Sequence, residues 1–190
     1  MPEINYENVS TFVPSGGVLL QVSKDAADAI TSANAEISDI VRYFGLFESD
    51  DAFETGDDVT SEPIRALGGR TVREVVSEAN VTFTAALLED TKAVRELRYG
   101  SVEDSNGKIV WNPRKRIRGS FVFYTFDEGE GVGEIVHKLY VYKDAQVSEA
   151  ESTSFSTGSA TVTNVTLTAY EDPEIWTTVE TEDVETGTED

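Results

Sequence analysis

At 190 residues, with 36 acidic against 15 basic side chains and a formal net charge of −21, the chain suits one domain with a substantial core. Its charge opposes nucleic-acid binding, which depends on neutralising phosphates. The absence of cysteine excludes disulfides, thiolate metal sites and cysteine nucleophiles, and a lone histidine, His137, excludes a multi-histidine metal site. The N-terminal residues lack the basic and apolar regions of a signal peptide, and no apolar run approaches the ~20 residues of a membrane span; a soluble protein made in a cytoplasm is expected. The charge is segregated. Eleven of the fifteen bases lie between Arg65 and Arg118 against seven carboxylates, which leaves that stretch at +4 and the remainder at −25. Two surfaces of opposite sign favour either a polyanionic partner or ordered association with further copies.

In chain order, residues 1–15 read as an N-terminal arm and residues 16–172 as a β domain. Val18 to Ser23, entered through Gly16-Gly17, is the first strand candidate. Asp25 to Ala35 fits a short helix or a loop, and Ile37 to Phe47 is a second apolar region. Glu48 to Pro63, with seven acids, one glycine and a closing proline, reads as a long exposed loop. The clearest pattern runs from Val75 to Leu87. Apolar or small residues hold the odd positions and Glu78, Asn80, Thr82 and Thr84 hold even ones, the signature of a half-buried strand. At ~3.3 Å per residue it would span roughly 43 Å, more than twice a typical strand.

A short helix follows. Asp90 or Thr91 can cap it, Ala93, Val94 and Leu97 form its apolar stripe, and Gly100 suits its C-terminal end. A helix so short must pack on a sheet. After a turn at Asp104 to Gly107 the chain carries Trp111 and the run Arg114-Lys115-Arg116-Ile117-Arg118. Extended geometry would align Arg114, Arg116 and Arg118 on one face. Ile117 to Phe126 reads as a strand covered on both faces at its far end. Glu134 to Lys143 and Thr161 to Tyr170 read as further strands, and Ser148 to Ser159 as loop. Residues 173–190 read as an acidic tail, expected to be disordered from Thr177 onward. At least six strands and one short helix predict a mainly β protein, a sandwich or barrel with a flanking helix.

No constellation of residues carries catalytic chemistry. His137 shares a face with Ile135 and Leu139 and reads as a buried or interface histidine. Gly129 to Gly133 joins strand to strand, has no Lys-Ser/Thr and holds acids that would repel phosphate. The acids from Glu48 to Asp58 lack the spacing of a calcium loop. No cofactor, metal site or enzymatic activity is expected. The basic run pairs most economically with carboxylates of another copy, with Trp111 and nucleic-acid stacking as the rival use.

The segment Ile64 to Glu78, the strand Val81 to Glu89, the helix ending Leu97-Arg98-Tyr99-Gly100 and the late strand Val165-Thr166-Leu167-Thr168-Ala169-Tyr170 resemble the major tail tube proteins of long-tailed phages, especially phages of actinobacteria. The resemblance spans residues 37 to 172. Leu67 stands where a Trp is usual, Arg98-Tyr99 where a Tyr pair is usual, and the acidic tail is long. The resemblance implies a tail-tube β domain assembled as hexameric rings and stacked into a hollow virion tube whose acidic lumen conducts DNA. It also implies tape measure, tail terminator and distal tail proteins as partners, and no membrane. On that reading Arg70, Arg73, Arg114, Lys115, Arg116 and Arg118 serve subunit contacts. Glu48, Asp50, Asp51, Glu54, Asp57 and Asp58 belong to a ring-stacking loop. Glu74, Glu78, Asp127, Glu128 and Glu130 are lumen candidates. The alternative is an acidic monomeric or dimeric β-sandwich binding module from a halophile.

Overall fold

A computed structural model describes residues 15–45, 47, 53–67, 69–88, 90–112, 114–128, 134–150 and 162–181. The chain is mainly β, and the described residues form eight strands and two short helices: β1 (Gly16–Val22), α1 (Lys24–Asp28), β2 (Ile40–Tyr43), β3 (Phe53–Arg65), β4 (Thr71–Leu87), α2 (Lys92–Tyr99), β5 (Arg118–Asp127), β6 (Glu134–Ala150), β7 (Thr163–Ala169) and β8 (Glu174–Thr181). The strand order is β2-β1-β5-β6-β7-β4-β3, with β8 added to β6, and every pairing is antiparallel.

The seventeen-residue β6 organises the sheet. Its residues Val136 to Gln146 oppose β5 along one edge. On the other edge Glu134 to Val141 oppose β8 and Ala145 to Ala150 oppose β7. Register shifts at Gly119/Phe121 and Val147/Glu149 place one extra β6 residue at each point, and bulges of this kind bend a strand and increase its twist.

β5 is buried on both faces because successive side chains enter different cores. Phe121 and Phe123 join Leu19, Phe83, Leu87, Val94, Leu97, Tyr142 and Leu167 in the larger core. Val122, with Leu20, Val22, Leu139 and Val141, lies in a smaller one closed by α1 and residues 30–33. Phe123 is the centre of the larger core. Its ring lies 4.5 Å from that of Phe53, 5.0 Å from Phe83 and 5.1 Å from Phe47.

The expected long strand, the late strand and the short helix are all present. Thr91 caps α2, its hydroxyl accepting from the Val94 N–H at 3.3 Å. Gly100 ends it in the left-handed conformation at φ 68°, its N–H bonded to the Glu96 carbonyl. A Cβ at Gly100 would lie 1.9 Å from the Lys115 carbonyl oxygen, so only glycine lets the 112–115 turn close over the helix end. Val94 and Leu97 pack into the larger core as required of so short a helix.

Three expectations are corrected. Residues 53–65 form a strand, not a loop, hydrogen-bonded to β4 through thirteen rungs. They are exposed as foreseen; β4 supplies the template, and Pro63 is tolerated because β3 is last in the strand order. Residues 174–181, assigned to the acidic tail, form β8 on the free edge of β6. Ser148 to Ala150 continue β6 instead of beginning a loop. Residues 1–14, 129–133, 151–161 and 182–190 lie outside the described residues, as do the expected arm, the Gly129 to Gly133 loop and the last part of the tail.

Candidate functional site

The feature that stands apart is the distal half of the β3–β4 hairpin. Pairing of β4 with β7 ends at Val81, opposite Ala169; from Asn80 back to Thr71 its strand partner is β3 alone. Those ten residues extend roughly 30 Å. The inner half of β4 buries Phe83, Ala85 and Leu87. Beyond it Val59, Ile64, Val72, Val75 and Val76 are exposed, Val72 at 68% and Val76 at 58%. A two-stranded ribbon is marginally stable in water unless a face is covered, and five exposed β-branched residues offer such faces.

Register shifts at Thr60/Ser61 and Ile64/Arg65 set the faces of this arm. The face that carries Phe53 and Phe83 in the core continues outward through Val59 and Ala79, then Ser61 and Val76, then Pro63 and Glu74. The same shift puts positions 74 and 78 out of phase, since Glu74 pairs with Pro63 and Glu78 with Thr60. Glu54, Asp57 and Asp58 lie on β3 near the base of the arm. Glu48, Asp50, Asp51 and Glu130 lie outside the described residues.

The cations divide sharply by position. Outside the basic stretch, Lys24 meets Asp28 and Glu171, Arg42 meets Glu96, and Lys143 meets Asp28 and Glu174. Within α2, Lys92 faces Glu96, and Arg95 faces Asp90 and Glu103. Arg118 grips Asp144 through two bonds of 2.8 and 2.5 Å. That pairing holds the Asp144 carboxyl below its ordinary value and raises Arg118. Arg118 is therefore satisfied within its own chain.

Among the described residues, no carboxylate pairs with Arg65, Arg70 or Arg73 on the arm, or with Lys108, Arg114, Lys115 or Arg116 on the loop after α2. Arg114, Arg116 and Arg118 do not share a strand face. Residues 114–117 are irregular, held by the Lys115 N–H on the Asn112 carbonyl and the Asn112 N–H on the Tyr99 carbonyl. β5 begins only at Arg118. Trp111, 67% exposed, packs edge-on against Tyr99 at 5.6 Å, and Arg98 lies over the Tyr99 ring.

Asp127 and Glu128 stand at the far end of β5, Asp127 nearly buried and Glu128 exposed. Glu180 lies nearby on β8, accepting from Asn34 at 2.7 Å. His137 is half-buried on β6 with Nδ1 2.7 Å from the Tyr124 hydroxyl. Its buried Nε2 faces Glu180 at 3.4 Å without forming a hydrogen bond. Among the described residues no nucleophile accompanies it, so the grouping offers side-chain packing and the Tyr124 contact. Among the described residues no three His, Asp or Glu side chains converge on a metal position, and no helix is long and apolar enough to cross a membrane.

Sequence reasoning missed β3 and β8 as strands. In β8 the signal was present, as Ile175, Trp176 and Val179 among threonines, but the surrounding acids concealed it. No family model and no curated protein matches the chain. Among solved structures, it is similar to a chain of the PVC sheath-tube complex of an extracellular contractile injection system in its extended state. The identity is 10%, the match covers 93% of this chain and 100% of that one, and the TM-score is 0.42. It is also similar to a chain of the anti-feeding prophage cap, a tube-terminating cap, at 14% identity, 94% of each chain and a TM-score of 0.40.

Proposed function

We propose that this chain is a structural virion protein, the subunit of a phage-type tail tube that self-assembles into stacked hexameric rings. The observation that carries the reading is the arm: a β ribbon with apolar residues on both faces and three arginines that meet no carboxylate among the described residues, extending past the last strand that supports it. A ribbon of that kind gains its stability from a neighbouring subunit, because nothing in its own chain covers it among the described residues. Arg65, Arg70 and Arg73 give it charge to pair with the acids of a chain at −21.

The sites follow from the same reading. Arg70, Arg73, Arg114, Lys115 and Arg116 serve subunit contacts, and Glu54, Asp57 and Asp58 at the arm base serve contacts between rings. Asp127, Glu128 and Glu74 are lumen candidates. An acidic lumen repels the phosphates of passing DNA, so the genome slides instead of binding. The protein works in the virion tail and needs no cofactor.

The test is assembly of the purified full-length chain, followed by light scattering and negative-stain microscopy as concentration rises. Rings and tubes of uniform width support the reading. A monomer that persists at every concentration and salt overturns it in favour of an acidic monomeric binding module.

A further inference from the structure

We propose that His137 and Glu180 form a binding site for a first-row divalent metal ion of the zinc type, with water completing its shell. The register of the sheet brings the two side chains together. His137 of β6 lies opposite Thr178 of β8, and Glu180, two residues on, shares a face of its strand with Thr178. The glutamate reaches across this diagonal and sets its Oε2 3.4 Å from the imidazole Nε2.

Each side chain is held by its other polar atom. Nδ1 of His137 lies 2.7 Å from the Tyr124 hydroxyl, and the two rings are stacked. Oε1 of Glu180 accepts from the Asn34 amide at 2.7 Å. The atoms left over, Nε2 and Oε2, face each other. Nε2 is buried and has no hydrogen-bond partner, a condition that native interiors rarely leave without a purpose. With the proton on Nδ1, donated to Tyr124, Nε2 presents a lone pair. A hydrogen bond from the outer nitrogen is the usual device that fixes the ring and tautomer of a metal-ligating histidine.

The separation suits an ion better than a direct bond. A good hydrogen bond is shorter and keeps its acceptor near the N–H axis, and none forms across this 3.4 Å gap. Two ligands of one tetrahedral ion, each ~2.0–2.2 Å from the metal, lie about 3.3–3.5 Å apart. A cavity of about 360 Å³, walled by Ala33, Ala35 and Ile37, adjoins both residues and leaves room for water. The described residues supply two ligands, and water supplies the rest. An imidazole nitrogen favours zinc, cobalt or nickel over magnesium and calcium, which prefer oxygen ligands. Bound there, the ion braces β8 against β6 and, through Asn34, the segment that closes the smaller core. None of the residues assigned to subunit contacts takes part.

The chain has a single histidine, which makes the test specific. Full-length protein is titrated with zinc chloride in excess magnesium, which occupies surface carboxylates, while calorimetry counts the sites and nitrogen NMR follows the imidazole. The expected result is one zinc per chain and a large shift of the Nε2 resonance. Glu180→Gln, which keeps an oxygen for Asn34, weakens binding about tenfold or more, and His137→Gln abolishes it. Tyr124→Phe, which removes only the positioning hydroxyl, weakens it about tenfold. Zinc that binds wild type, Glu180→Gln and His137→Gln alike overturns the proposal. So do imidazole resonances that stay unmoved at saturation, or magnesium that prevents zinc from binding.

Discussion

The two halves of the β3–β4 hairpin obey one sequence pattern and meet opposite fates. Near the body Phe53, Phe83, Ala85 and Leu87 enter a core centred on Phe123. Beyond Val81, Val59, Val72, Val75 and Val76 keep the same β-branched character but stay exposed. Alternation states that a strand has two faces; it does not state what covers either of them. Where the monomer supplies a cover, the pattern reads as core. Where it does not, the same pattern reads as a surface awaiting a neighbour.

That contrast can be broken in order of expected effect. Phe123→Ala, at the centre of the body, should cost about 3–5 kcal/mol in urea unfolding of the full-length chain. Gly100→Ala should cost about 1–3 kcal/mol, since a left-handed residue with a side chain is strained and the new Cβ would strike the Lys115 carbonyl. By contrast, Val59→Asp with Val76→Asp on the arm should leave unfolding within about 0.5 kcal/mol of wild type while lowering association, read by light scattering, about tenfold or more. An equal loss of stability in the arm variant would show that its face is already covered within the monomer. The smallest effect is expected at Asp144→Asn. Arg118 depresses the Asp144 carboxyl in the folded state, so the pair stabilises the protein above the unfolded carboxylate value of about 4. That contribution disappears as pH falls through the lowered folded value. The gap in melting temperature between wild type and Asp144→Asn should therefore be present at neutral pH and close in acid.

Much of the body was legible in the sequence because its signals were local. Thr91 and Gly100 mark the ends of α2, and the alternation through Phe83 and Leu87 marks β4. β3 escaped because Gly56, Pro63 and its acids are all disfavoured in strands; a long neighbouring strand templates it. β8 escaped for a related reason, its place being the vacant edge of β6 beside Lys138 and Tyr140. The basic run was legible as composition but not as geometry. The corner at Gly100 and Asn112 bends residues 114–117 out of the extended form that would have aligned their side chains. Half the candidate site, the uncovered arm, was visible only as an unusually long strand, because exposure is a property of the whole fold.

The shared strand β6 has a mechanical consequence. Because it is bonded to β5 along one edge and to β8 and then β7 along the other, a pull on the arm travels through β4 and β7 into the middle of the sheet. The load is met by rows of hydrogen bonds resisting shear together, not by one edge peeling away rung by rung. Amide protons at Leu139 to Val141, with strands on both sides, should accordingly be among the last to exchange with deuterated water. A molecule so connected yields to such a pull as one piece.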